Sequence, residues 1–264
     1  MRDYESLTYE VEDGVAILTL DRPERLNALN SAMDRELPLA WGRFEADPAA
    51  RVAIVTGRGG KAFCVGADLA DAPRQDGPSS LETIRWSSLQ NQVWKPVIAA
   101  INGMTSGGGL HFVADSDIVL AAEHATFFDS HVAVGLASVM EPICLARRMP
   151  LGAVLRLALL GGAERLSAAE ALRLGMIDEI VPLERLLPRA RQLADMIKRH
   201  SPAALRHTKQ AIWEAQELGL TDALKAGFRH IDAQMRHPDA AEGGRAFLER
   251  RPPRWQSYSP EGET

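Results

Sequence analysis

The stretch from Lys95 to His111, KPVIAAINGMTSGGGLH, constrains the fold more than any other part of the chain. Its apolar run Val97–Ile101 predicts a short buried strand, and Asn102-Gly103 predicts a turn. Three glycines then open a helix, although each glycine lowers the stability of a helix interior by about 1 kcal/mol. We therefore expect a close approach to the backbone here. Two explanations are open. The glycines allow either tight packing of a strand-to-helix crossover or the binding of an anion or oxyanion by the free N–H groups of the helix start.

Strands and helices alternate in the sequence on both sides of this stretch. Turn residues predict a hairpin at Asp13-Gly14, and a β-branched run predicts a buried strand at Val52–Thr56. Short strands are also predicted over 117–121, 125–128 and 177–181. Helices are predicted over 32–46 with Ser31 as N-cap, 81–93, 147–160, 167–174 with a Ser167/Glu170 capping box, 183–236 and 239–250.

This order predicts an α/β fold with a C-terminal helical region. We place the core at residues 1–195 and the helical region at 196–264. Proline and glycine predict a mobile loop over 71–80, and the proline-rich tail from 251 to 264 is predicted to be loosely ordered.

Composition excludes several function classes. A net charge of -5 gives no basic surface for nucleic acid, and no run reaches the roughly 18 apolar residues that a membrane span needs. The N-terminus lacks the apolar core of a signal peptide. Cys64 and Cys144 have no disulfide-framework or metal-ligand spacing, and we expect both to be small core residues. A cytoplasmic protein with no nucleic-acid or membrane partner is predicted.

Five segments, in order, resemble the enoyl-CoA hydratase/isomerase (crotonase) superfamily. They are DRPERLNA at 21–28, AFCVGADL at 62–69, KPVIAAINGMTSGGG at 95–109, LSAAEALRLGMID at 166–178 and EGGRAFLER at 242–250. The resemblance implies a crotonase-like spiral of repeated ββα units with a C-terminal helical trimerisation region. It also implies a homotrimer or a hexamer built as a dimer of trimers. The substrate would be an acyl-CoA thioester, with coenzyme A as part of the substrate and no separate cofactor or metal.

The resemblance also assigns site residues. By position, the backbone N–H groups of Ala67 and Gly108 would form an oxyanion hole for the thioester oxygen. The CoA part would lie against Arg25, Leu26 and Ala28, and against Ala67, Asp68 and Leu69. Arg22 and Arg25 could pair with phosphate, although exposed arginines near a proline turn are commonly only solvated.

The sequence departs from the family where two glutamates perform acid–base catalysis in its hydratases. One position lies two residues past the last glycine of Gly-Gly-Gly and holds His111; the other, twenty residues later, holds His131. Histidine titrates near neutral pH, so one ring could act as base and the other as neutral donor. Glu141, in the segment expected to end the pocket wall, could orient a ring in a Glu–His–water arrangement. Asp68 and Asp129 are expected to be structural, as a helix cap and at a strand end.

Three functions stay open from the sequence. The first is an acyl-CoA-processing enzyme that stabilises a thioester enolate or oxyanion, with His111 and His131 in place of the glutamates. The second is an acyl-CoA-binding protein without catalysis. The third is a C–C hydrolase of β-diketones that uses His131 and Glu141. Large apolar residues precede the glycine-rich stretch, and we expect them either to pack in the core or to form a wall of a pocket for a bulky acyl group. They are Trp86, Leu89 and Trp94.

Overall fold

The computed structural model describes residues 3–71 and 83–256. Within these ranges the strands are β1 Leu7–Glu12, β2 Val15–Leu20, β3 Val52–Gly57, β4 Ala62–Cys64, β5 Val97–Ile101, β6 Met104–Ser106, β7 Ile118–Ala122, β8 Thr126–Phe128, β9 Leu166–Ser167 and β10 Glu179–Val181. The helices are α1 Ser31–Ala46, α2 Leu110–Asp115, α3 Met140–Leu145, α4 Leu151–Leu159, α5 Ala168–Arg173, α6 Leu183–Ile197, α7 Pro202–Ala215, α8 Leu220–Arg236 and α9 Pro238–Leu248.

The described strands form two sheets that wind together. One sheet has the order β1-β2-β3-β5-β7-β10 and the other has the order β4-β6-β8-β9. In the pairs β3–β4, β5–β6 and β7–β8, the first strand joins the larger sheet and the second joins the smaller one. Neighbouring repeats pair in parallel, β3 with β5 and β5 with β7 in one sheet, β4 with β6 and β6 with β8 in the other. Each repeat therefore advances by one strand, which confirms the predicted spiral.

Two apolar clusters hold the spiral together. The larger cluster contains Trp41 and Phe44 of α1 together with Phe63 of β4 and Phe112 of α2, all buried. The second cluster packs α6 on the larger sheet. Burying one such side chain contributes about 1.5–3 kcal/mol, so the clusters fix the sheets that carry the glycine-rich segment.

Two local predictions are confirmed. The hairpin between β1 and β2 turns at Asp13 and Gly14, with φ angles of 49° and 78°. The capping box is present, because the Ser167 hydroxyl accepts from the Glu170 amide while the Glu170 carboxylate accepts from the Ser167 amide. Left-handed φ and reciprocal caps are local properties, so the sequence alone carries them.

The N-cap of α1 differs from the prediction. The side chain of Asn30, not of Ser31, caps this helix by accepting the Met33 amide at 3.0 Å. Ser31 is the first helical residue, and its hydroxyl donates to Asp71 at 2.8 Å.

The predicted helix over 81–93 is wrong for its described part, where the chain forms only a 3-10 turn, Leu89–Asn91. Side chains take the backbone groups that a helix would use. The side-chain oxygen of Gln90 accepts the backbone N–H groups of Trp86 and Ser87. The side-chain amide of Asn91 donates to the carbonyls of Arg85 and Ser87, both at 2.8 Å. Asn and Ser side chains compete with helical bonding in this way.

The predicted helix over 147–160 begins later, at Leu151, and α3 precedes it. Pro150 explains the break, because a proline disfavours helical backbone at the residue before it. The predicted loop beyond Asp71 and the tail from residue 257 lie outside the described residues.

Candidate active site

A cavity of about 550 Å³ opens where the strand pairs β3–β4, β5–β6 and β7–β8 end. Its lining combines backbone from two glycine-containing segments with two histidines, one carboxylate and an apolar wall. The lining residues are Ala67, Ile84, Trp86, Gly108, His111, His131, Ala137, Val139, Met140 and Glu141.

The two predicted oxyanion-hole residues, Ala67 and Gly108, line this one cavity. Leu29 donates its amide to the Gly66 carbonyl and accepts from the Asp68 amide, both at 2.8 Å. Successive residues of an extended strand point their amides to opposite sides, so the N–H of Ala67 faces away from Leu29. A Cβ built on Gly66 would lie 3.2 Å from the Gly108 nitrogen, which puts the two segments in contact.

The glycine at position 108 is required by close packing. A Cβ there would lie 2.6 Å from Cζ3 of Trp86 and 2.8 Å from Cδ1 of Leu29. Gly109 is tighter still, with its Cβ position 2.4 Å from the Cys64 carbonyl oxygen. The glycines that the sequence singled out therefore allow three segments to meet at the cavity.

Glu141 lies between the two predicted histidines. Its Oε1 is 3.3 Å from Nε2 of His111 and 3.8 Å from Nε2 of His131. His111 and Glu141 are buried, whereas the His131 side chain is 25% exposed. The three side chains come from α2, from the turn after β8 and from α3, so they converge only in the folded chain.

Asp129 holds His131. Its Oδ1 is 2.8 Å from Nδ1 of the ring, and Ser138 donates its hydroxyl to Oδ2 at 2.6 Å. The hydrogen bond with Asp129 raises the pKa of His131, and the negative charge of Glu141 raises it further. Asp129 follows β8 as predicted, but it contacts a site residue, which the structural interpretation of this aspartate missed.

The pKa of Glu141 is lowered. Burial, the largest influence, acts in the opposite direction, but it is outweighed by several smaller influences, of which the hydrogen bond from His111 is the largest. Glu141 is therefore ionised at neutral pH, next to a histidine that is more basic than usual. A carboxylate whose pKa is lowered and a histidine whose pKa is raised thus share one cavity.

His111 is packed on all sides. Its Nδ1 lies 3.3 Å from Nε2 of Gln90, and the Trp86 ring meets it edge-on, with centroids 5.7 Å apart. Asp115 follows one helical turn later, buried and hydrogen-bonded by the Ser87 hydroxyl, and burial raises the pKa of Asp115. Trp86 is thus a cavity wall, while Leu89 and Trp94 are not among the lining residues.

Arg22 is held by contacts within the protein. It donates to the Ala28 carbonyl at 2.7 Å and pairs with Asp68 at 2.9 Å, an interaction that lowers the pKa of Asp68. Within the described residues Asp68 caps a turn and not a helix, because its carboxylate accepts the Ala70 amide at 3.1 Å. The pair with Arg22 ties the loop before Leu29 to the loop that carries Ala67.

The remaining residues predicted to contact CoA lie along these same loops. Arg25 and Leu69 are exposed, Leu26 is half-buried with φ at 53°, and Ala28 is buried. Their contact with CoA stays a prediction.

The cysteines take no part in the site. Cys64 is fully buried, which raises the pKa of its thiol to about 12, and burial raises that of Cys144 to about 11. Neither thiol is nucleophilic at neutral pH. Among residues 3–71 and 83–256, no cluster of His, Cys, Asp and Glu could hold a metal ion, and no helix could cross a membrane.

Comparison with known proteins places this site in a family. The sequence profile described as "Enoyl-CoA hydratase/isomerase" matches residues 10–258. The chain belongs to the enoyl-CoA hydratase/isomerase family. The resemblance seen in the five sequence segments is thereby confirmed, and so is an enzyme of this family.

Relatives of the family align along almost their whole length. The chain is 34% identical to an (E)-benzylidenesuccinyl-CoA hydratase from Thauera aromatica, covering 94% of this chain and 97% of that protein. It is 31% identical to a carnitinyl-CoA dehydratase from Proteus mirabilis, covering 96% and 98%. A crystal structure of an enoyl-CoA hydratase/isomerase from Mycobacterium paratuberculosis superimposes with a TM-score of 0.89 at 38% identity, covering 96% and 99%.

Some contacts of the site residues were not predicted from the sequence. Asp129 carried a signal, because it stands two residues before His131 at a strand end, and residues at that spacing share a side. Gln90 carried none, since the helix predicted there gave it no defined partner. Ser138 is brought to Asp129 by the turn after β8, which no local pattern predicts.

Proposed function

We propose that this family member hydrates an enoyl-CoA, or dehydrates the corresponding 3-hydroxyacyl-CoA, with Glu141 as base and His131 as acid. The observation that supports this most is the position of Glu141 Oε1, 3.3 Å from His111 and 3.8 Å from His131, in the cavity that Ala67 and Gly108 line. One carboxylate from α3 thus supplies the base that both family positions lack.

The proposed step balances in protons and electrons. Glu141 takes a proton from water as the water oxygen bonds to Cβ, and the π electrons move to the thioester oxygen. The N–H groups of Ala67 and Gly108 hold this oxyanion. The imidazolium of His131 then protonates Cα as the electrons return. Glu141 finally passes its proton to His131 through a solvent water, because the 3.8 Å between Oε1 and Nε2 exceeds hydrogen-bond distance, and this restores the starting state.

The dehydratase and hydratase names of the relatives agree in reaction class with this proposal. The apolar wall formed by Ile84, Trp86, Val139 and Met140 favours an uncharged acyl group next to the reacting carbons. We infer that the CoA part follows the loops of Arg25 and Leu69 at the mouth.

A panel assay tests the function directly. Crotonyl-CoA, longer-chain and aryl enoyl-CoAs are incubated with the enzyme, and loss of the enoyl-thioester absorbance is followed with product identification. Turnover to a 3-hydroxyacyl-CoA is expected. Tight acyl-CoA binding without product across the panel would instead support a binding protein. Cleavage of a cyclic β-diketone without affinity for CoA would support the C–C hydrolase.

The pH profile carries a second prediction. Activity requires Glu141 ionised and His131 protonated, so kcat/KM is expected to fall below the lowered pKa of Glu141 and above the raised pKa of His131. In Asp129→Asn the hydrogen bond that raises the pKa of His131 is weakened, so the alkaline limb should move to lower pH. Steady-state kinetics from about pH 3 to 8.5, roughly one to two units beyond the ordinary pKa values of Glu and His, measure both limbs.

Asp195→Asn on α6 is the matched control and should leave both limbs in place. An alkaline limb that stays fixed in Asp129→Asn, or moves upward, would contradict the role of His131 as acid.

The C-terminal helices support a proposal about assembly. Large apolar residues recur along one side of α8 and remain exposed, namely Leu220, Leu224, Phe228, Ile231 and Met235. A contiguous exposed apolar face of this kind is typical of a protein–protein interface. We infer that a second copy of the chain covers it, in a homotrimer or a dimer of trimers.

Light scattering on a size-exclusion column should give a mass of three or six chains of 28.8 kDa. The double variant Leu224→Glu/Phe228→Glu should give smaller species, because it places charges in the interface. Lys225→Ala on the same helix is the control and should keep the wild-type mass. A monomeric wild type, or an unchanged mass in the double variant, would contradict the proposed interface.

A further inference from the structure

The side-chain amide of Gln90 has one allowed orientation. Its Oε1 accepts the backbone N–H groups of Trp86 and Ser87, both at 3.0 Å. In the flipped orientation the amide NH2 would face these two N–H groups, and both would then lack an acceptor. The hydrogen-bond network therefore assigns oxygen to this end of the amide.

The other end of the amide faces His111. Nε2 of Gln90 lies 3.3 Å from Nδ1 of the ring. An amide NH2 can only donate, so Nδ1 must accept and carries no proton. In a neutral imidazole the proton then sits on Nε2, the atom that lies 3.3 Å from Oε1 of Glu141.

The contact with Gln90 favours this neutral tautomer. An imidazolium would place an N–H on Nδ1 opposite the NH2 of Gln90, donor against donor. Besides Glu141, the titratable groups near His111 are Asp115 on its own helix and His131 on the far side of Glu141. The orientation of the Gln90 amide therefore decides which ring nitrogen carries the proton.

We propose that Gln90 is a positioning residue that fixes His111 as the Nε2–H tautomer and thereby aims one hydrogen bond at Glu141. This inference rests on the proposed role of Glu141 as base. His111 then orients and stabilises the carboxylate and does not itself take a proton from water. The backbone of Trp86 and Ser87, Gln90, His111 and Glu141 form one hydrogen-bonded chain from the cavity wall to the reacting proton.

Nitrogen NMR of the ¹⁵N-histidine-labelled protein tests the tautomer without any substrate. The His111 signals are identified by their loss in His111→Asn. In the wild type we expect an unprotonated Nδ1 and a protonated Nε2 through the neutral pH range. In Gln90→Glu the new carboxylate oxygen faces Nδ1 and can only accept, so both ring nitrogens should be protonated. In Gln90→Met, which cannot donate, both tautomers should appear.

Kinetics give the second measurement. Gln90→Glu should lower kcat about 10- to 100-fold with KM nearly unchanged, by analogy with partners that orient metal-bound histidines. It should also move the acidic limb of the pH profile, because the hydrogen bond that lowers the pKa of Glu141 is altered. Gln92→Glu, two residues later and exposed, makes the same chemical change outside the chain of bonds and should leave both measurements unchanged.

The two proposals can fail separately. A protonated Nδ1 in the wild type, or an unchanged tautomer in Gln90→Glu, would overturn the role of Gln90 even if the enzyme hydrates enoyl-CoAs. The expected tautomers in a protein that turns over no enoyl-CoA would keep the role of Gln90 in orienting His111 and reject the proposed function.

Discussion

Glu141→Gln is expected to lower kcat for enoyl-CoA hydration by about 10²–10⁴-fold, the range typical for the loss of a general acid–base group. The amide keeps the size of the side chain and can still accept from His111, but it cannot take a proton from water. KM should change little, because the hydrogen bonds that hold the thioester come from backbone. Steady-state kinetics on the best substrate of the panel measure the effect.

Glu123→Gln provides the matched control, since Glu123 is exposed in the turn between β7 and β8. It should retain wild-type kinetics. Wild-type turnover in Glu141→Gln, together with a large loss in His111→Ala, would instead identify His111 as the base.

A second large loss is expected for Gly108→Ala. The added methyl would lie 2.6 Å from the Trp86 ring and 2.8 Å from Leu29, so the segment must shift. A shift moves the Gly108 amide from the thioester oxygen. Removal of one oxyanion donor typically costs about 10²–10³-fold in kcat. The same loss is expected with every substrate that the enzyme accepts, because the donor acts on the thioester that all of them share.

Gly152→Ala in α4 is the control, because a Cβ there meets no atom within 4 Å. It should leave kcat unchanged, and far-UV circular dichroism should show both variants folded. Wild-type kcat in a folded Gly108→Ala would contradict the assignment of this amide to the oxyanion hole.

Much of the architecture could be predicted from the sequence, because the residue patterns that indicate its strands and turns are local. The hairpin at Asp13-Gly14, the β-branched β3 and the strand and turn before Gly107 each depend on a few neighbouring residues. Their order, together with the family resemblance, was enough to predict the spiral. The pairing of Ala67 with Gly108 was implied by the family resemblance alone, and the close packing at Gly108 is what lets the two segments line one cavity.

The errors occurred where tertiary contacts override local preference. The segment from 83 to 93 was predicted to be helical, but the Trp86 indole donates to Asp34 and the Trp86 carbonyl accepts from the Trp41 indole, which holds the chain in an irregular path. The bent path brings Gln90 to His111. The regular helix that the sequence pattern predicted gave no indication of this contact.

The distances between Glu141 and the two histidines could not be predicted from the sequence, for a related reason. Glu141 was an evident candidate as the carboxylate after His131, but its distances to both rings depend on α3, a helix that was not predicted. The folded chain brings a carboxylate from α3 into the cavity that Ala67 and Gly108 line. In the proposed mechanism the acid–base groups therefore differ from those of the family's hydratases, while the thioester oxygen is held by the same backbone positions.

The central claim is that Glu141 acts on an acyl-CoA whose thioester oxygen is held by Ala67 and Gly108. A crystal structure with a saturated acyl-CoA, which cannot be hydrated, tests it most directly. We predict the thioester oxygen about 2.7–3.1 Å from both amide nitrogens, with Cα and Cβ facing Glu141 and His131. A thioester oxygen beyond hydrogen-bond distance of these amides, or an acyl chain directed away from Glu141, would contradict it.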